Sequence, residues 1–148
     1  MMIETLKSLY NRDLSKLKLE IESYQTESSL WIIDKSISNS AGNLCLHLIG
    51  NLNTYIGTEL GKTGYVRDRP LEFSLKDIPK SELISKIEST ILMINNVLDT
   101  LTEEDLKAIY PQIVFEKEMT TGFFLTHLST HLAYHLGQIN YHRRLLDF

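Results

Sequence analysis

The sequence predicts an all-α fold, a bundle of four helices with one long crossover connection. Apolar residues recur at spacings of three and four in four long stretches, which is the period of an amphipathic helix. A polar segment carrying two of the three prolines separates the second stretch from the third. Four helices with a single long connection describe a bundle.

The first helix is expected over residues 2 to 25, where Ile3, Leu6, Tyr10, Leu14, Leu17, Ile21 and Tyr24 form one stripe. Residues 25 to 40 mix Ser, Thr and Asn with Leu30, Trp31, Ile32 and Ile33, and read as a connection that drops a Trp onto the bundle. Asn39 and Ser40 are both good N-caps for a second helix, which carries Leu44, His47, Leu48, Asn51, Leu52, Tyr55 and Ile56 to Leu60. Gly61 to Gly64 ends it, and the segment to Lys80, with Arg67, Asp68 and Arg69, is the crossover loop.

A third helix is expected from Ser81 to Leu101, with Leu83, Ile87, Ile91, Ile94 and Leu98 on one stripe and no histidine. Thr102 to Asp105 has the pattern of a separate helix start. Residues 109 to 119, broken by Pro111, alternate enough for a short extended or hairpin piece. The last helix opens at Thr120 or Thr121 and runs almost to the final residue through Phe124, Leu128, Leu132, Ile139 and Leu145.

Bulk properties narrow the function classes. The chain of 148 residues has the length of one ordinary domain, and 43% apolar with 23% charged residues is a globular composition. A single domain over 1–148 is expected. The net charge of −4 argues against nucleic acid as partner, since neutralising phosphates needs an excess of Lys and Arg. Cys45 is the single cysteine and has no internal disulfide partner, the amino terminus lacks a signal-like apolar run, and no stretch is apolar enough to span a membrane. These features fit a cytoplasmic protein with no membrane partner.

Four of the five histidines lie on the last helix. At about 100° per residue, His127, His131, His135 and His142 fall within roughly 40° of one line. Two imidazoles at i and i+4 stand one turn apart on one face, close enough to share an ion. Spacing alone allows two such pairs, His127 with His131 and His131 with His135. His127 and His135 are separated by about 12 Å of helix axis, so one ion does not take all three.

His47 is the one histidine outside that helix, placed among Leu44, Leu48 and Leu52 where it points to the core. Three imidazoles leave positions open on a divalent ion, whereas a structural zinc site is usually closed by four protein ligands. Zn²⁺ is the first expectation, with Ni²⁺, Fe²⁺ and Mn²⁺ also suited to imidazole. Cys45, about 200° around the helix from His47, is expected to face away as a small buried apolar residue.

Two blocks carry a family resemblance. One is Ser40-Ala41-Gly42-Asn43-Leu44-Cys45-Leu46-His47-Leu48-Ile49-Gly50-Asn51-Leu52, continued by Gly64-Tyr65-Val66-Arg67-Asp68-Arg69-Pro70-Leu71-Glu72-Phe73, and the other is His131-Leu132-Ala133-Tyr134-His135-Leu136-Gly137-Gln138-Ile139. Together they resemble the DinB-like superfamily of metalloenzymes, which includes damage-inducible DinB proteins and bacterial low-molecular-weight-thiol transferases. The resemblance implies an up-and-down four-helix bundle and a metal held by His47, His131 and His135, choosing the second helical pair over His127. It also implies transfer of a small thiol to an electrophile, with metal-dependent hydrolysis or a non-catalytic metal- or ligand-binding bundle as alternatives. Leu136 departs from the pattern, because many relatives carry Arg directly after the last histidine.

His127 reads as a pocket residue, a support for a metal ligand or a buried spectator. Asn51 and Gln138 share the histidine face and are expected to orient an imidazole or a substrate, or to make ordinary buried hydrogen bonds. His142 is expected to be solvated. Arg67 and Arg69 are placed to grip a substrate carboxylate or to pair with Asp68 or Glu72. No carboxylate lies on the histidine stripe of the last helix to act as general base. Apolar residues on more than one face of the first and third helices, together with the resemblance, lead to the expectation of a homodimer.

Overall fold

Apolar stripes become helices wherever the sequence spaces them by three and four, and the computed structural model, which describes residues 1–148, contains no strand. The elements are α1 (Met2–Glu22), a 3₁₀ turn (Glu27–Trp31), α2 (Ala41–Leu52), a π-helical segment (Asn53–Thr58), α3 (Glu59–Gly61), α4 (Arg69–Ser74), α5 (Lys80–Thr100), α6 (Glu103–Lys107) and α7 (Thr121–Leu146). Helix α1 packs against α5 and α7, and α2 packs against the same two helices and against α4. No helix is long and apolar enough to cross a membrane.

Caps set the boundaries. The Ser40 hydroxyl accepts the Asn43 backbone N–H at 3.2 Å to start α2, and the Thr120 hydroxyl accepts that of Phe123 at 3.1 Å to start α7. Thr102 and Asp105 form a reciprocal capping box at α6. The run from α2 through α3 stops at Lys62, whose left-handed φ of 51° breaks the helical path.

The apolar faces converge on one cluster of 28 buried residues, with Tyr10, Leu17, Leu48, Leu83 and Leu132 among them. Each large side chain so buried contributes about 1.5–3 kcal/mol relative to exposure. The buried Tyr10 hydroxyl is paired, donating to the Leu125 carbonyl at 2.6 Å. Trp31 lies against α2 where position 42 is glycine, and a Cβ there would sit 2.6 Å from its ring.

The structure departs from expectation in four places. The crossover is not loop throughout, because Asp68 caps Leu71 N–H, Pro70 opens a helical turn and α4 forms inside it. Residues 109–119 form no hairpin, and their one extended pairing is the bridge between Ile109 and Thr120. A π segment interrupts the second long helix, a feature that the periodicity does not show. His142 is buried rather than solvated: its Nε2 donates to the Ile32 carbonyl at 2.9 Å, which leaves Nδ1 to accept the Tyr24 hydroxyl at 2.8 Å.

Candidate metal centre

Helix α2 is buried along its whole length, so His47 has no solvent-facing alternative and points toward α7. Two successive turns of α7 present His131 and His135 to it. One nitrogen from each of His47, His131 and His135 lies within 4.8 Å of the others. His47 Nε2 and His131 Nε2 are 3.3 Å apart. Two nitrogens at about 2.0–2.1 Å from a tetrahedral ion stand about 3.3–3.4 Å apart, so this edge already has the spacing of a ligand pair.

Protonation favours a cation between them. Burial lowers the His131 pKa to about 4, with the neighbouring His135, His47 and His127 adding to it. Burial also lowers His135, against a hydrogen bond to Gln138 that raises it. The two imidazoles therefore stay neutral and keep a lone pair near neutral pH, the state that metal ligation requires. His131 Nδ1 is buried with no protein partner.

Each of the other two ligand candidates is held from behind. His47 Nδ1 donates to Glu72 Oε1 at 3.1 Å, which fixes the tautomer and leaves Nε2 free to ligate. His135 Nδ1 pairs with Gln138 Oε1 at 2.7 Å, as expected for a residue one turn away. Arg67 grips Glu72 in turn, Nε to Oε2 at 2.8 Å and Nη2 to Oε1 at 2.9 Å. Burial acts to raise the Glu72 pKa, but the bonds from His47 and Arg67 and the Arg67 charge outweigh it and hold the carboxyl ionised.

Glu72 is the supporting residue that the histidine pattern does not reveal. It reaches the site because α4 is pinned to α2, with Asn43 Nδ2 donating to the Glu72 and Leu75 carbonyls at 2.9 and 2.8 Å. Space for its carboxylate exists because position 50 is glycine, where a Cβ would fall 1.8 Å from Glu72 Oε2. The Arg67 alternatives thus resolve toward pairing with Glu72, while Arg69 lies over the Phe73 ring at 5.3 Å.

Other marked residues border the site. His127 sits one turn before His131, stacked on Phe124 with ring centroids 6.1 Å apart and edge-on to Phe115 at 4.9 Å. Asn51 is buried with its Oδ1 unpartnered. His127 and Asn51 line a cavity of 220 Å³ together with His47, His131, Arg67 and Arg69. Cys45 is fully buried on the far side, its pKa pushed up to about 12 by burial. His142 shares no contact with the triad and belongs to the Tyr24 end of the core.

No curated protein matches the chain. A family described as "Protein of unknown function (DUF1572)" matches residues 2–147, and on that full-length match the chain belongs to the DUF1572 family.

Proposed function

We propose that this chain is a metal-dependent enzyme of the DinB-like superfamily, a single up-and-down four-helix-bundle domain in which His47, His131 and His135 hold one divalent ion. The observation that carries the reading is the convergence of three imidazole nitrogens within 4.8 Å from two helices. Zn²⁺ is the proposed ion, with Ni²⁺, Fe²⁺ and Mn²⁺ as alternatives. Once bound, such an ion supplies Lewis acidity at the positions that three protein donors leave open.

The chain's own groups set the stage for that chemistry. Glu72 keeps the proton of His47 on Nδ1, Gln138 orients His135, and Arg67 neutralises Glu72 so that the carboxylate stays in place behind the imidazole. Transfer of a thiol to a small electrophile is the favoured reaction. Hydrolysis by metal-bound water is the alternative, because three protein donors would leave the same open positions to water.

A homodimer accompanies this reading. Exposed apolar residues are few on α1 and α5, where Leu19 and Leu92 stand out, whereas Tyr134, Tyr141 and Leu145 form an exposed stripe on α7.

Metal analysis of the purified protein, followed by thiol consumption in the presence of small electrophiles, tests the proposal. One equivalent of metal and thiol loss that a chelator suppresses are expected. Stoichiometric metal that raises stability while every electrophile leaves the thiol untouched would assign the ion a structural role instead.

A further inference from the structure

The cavity beside the histidines has a charge character opposite to that of the chain. The protein carries a net charge of −4, yet this cavity is lined by two guanidinium groups, Arg67 and Arg69, and by no Asp or Glu. Arg67 uses Nε and Nη2 on Glu72 and keeps Nη1 free of protein partners. Arg69 makes no ion pair and is held over Phe73 at 5.3 Å, an arrangement that positions the guanidinium without neutralising it.

Aromatic rings make up part of the remaining lining. Phe115 and Phe124 flank His127, with centroid distances of 4.9 and 6.1 Å. The third feature is Asn51, which is 7% exposed and has a buried Oδ1 with no partner. An unpaired buried amide costs about 1–3 kcal/mol unless something meets it, and here the amide borders the cavity one helical turn from His47.

We propose that this cavity binds a small organic monoanion, with its carboxylate on Arg69 and the free edge of Arg67, its apolar body against Phe115 and Phe124, and a hydrogen-bond donor, where the ligand has one, at Asn51 Oδ1. The inference deepens the metalloenzyme reading, on which its role as the substrate subsite rests. At 220 Å³ the cavity is smaller than the roughly 300–1,000 Å³ of drug-sized sites, which limits the ligand to about the size of a benzoate. A guanidinium pairs with a carboxylate in two parallel hydrogen bonds and has no comparable match for a neutral amide.

Benzoate and benzamide, equal in shape and different in charge, are the probes. Both are titrated into the full-length protein as purified and into Arg69→Ala and Arg69→Lys, with backbone and side-chain NMR shifts reporting affinity and location. Benzoate is expected to bind at least about tenfold tighter than benzamide, with shifts at Phe115 and Phe124. Arg69→Ala should erase most of that preference and Arg69→Lys should restore part of it. Equal affinities, no benzoate binding at millimolar concentration, or a preference unchanged in Arg69→Ala would overturn the proposal, the last because it would show that Arg69 does not hold the anion. Metal content measured on the same samples reports on the metalloenzyme reading separately.

Discussion

Single residues decide whether the triad holds an ion. His131→Ala and His135→Ala should each weaken Zn²⁺ binding on the order of 100-fold or more, while His127→Ala should leave it nearly unchanged. His127 lies one turn away, and moving a site by one turn shifts it about 5.4 Å along the axis, out of reach of His47. Calorimetric titration with Zn²⁺ checks this, and a dispensable His135 with an essential His127 would reverse the assignment. Glu72→Gln keeps the shape but removes the charge that holds the His47 tautomer, so Zn²⁺ affinity should fall about 10–100-fold with the helical content intact. Acid should act through the same cluster. The His131 pKa falls from 6.5 to about 4 in the folded chain. Between those values the unfolded chain binds more protons, so the stability of the metal-free protein is full above about pH 6.5 and declines toward pH 4. Urea midpoints measured at about pH 7.5 and about pH 5 should therefore differ, the acidic one being lower.

At the level of elements, the contact between α2 and α4 matters as much as the α2–α7 contact that joins the histidines. Gly50 on α2 admits the Glu72 carboxylate of α4, since a Cβ there would lie 1.8 Å from Oε2. Gly50→Ala should raise helix propensity by up to about 1 kcal/mol while displacing Glu72. Its Zn²⁺ affinity should drop as in Glu72→Gln although the helix itself is favoured, and an unchanged affinity would show that Glu72 does not support His47. At the other end of α7, Tyr24→Phe removes the donor to His142 Nδ1 and leaves a buried ring nitrogen unpaired. Thermal unfolding should reveal a loss of about 1–3 kcal/mol, with Zn²⁺ affinity unaffected, because this pair lies apart from the triad.

For the whole molecule, the exposed stripe of Tyr134, Tyr141 and Leu145 on α7 is the apolar surface that a second copy is expected to cover. Light scattering should return twice the chain mass of 17.1 kDa, and Tyr141→Glu should shift the mass toward that of one chain. A monomer at high concentration would remove the dimer from the proposed function.

The sequence by itself determined the helical class and the extents of the long helices, because a period of 3.6 residues is a local property that burial on one side enforces. It also placed His131 and His135 on one face, since i and i+4 neighbours are fixed by helix geometry alone. Choosing that pair over His127 and His131 took the family resemblance, because both pairs satisfy the same spacing. Only the tertiary structure decided which groups meet across elements. Glu72 lies 25 residues beyond His47, on a turn whose docking depends on Asn43 and on the missing side chain at Gly50. His142 shares the helical face of the triad and yet pairs with Tyr24, because α1 and the segment after it close over that end of α7. Periodicity records which side of a helix is buried, and what covers that side is settled by packing.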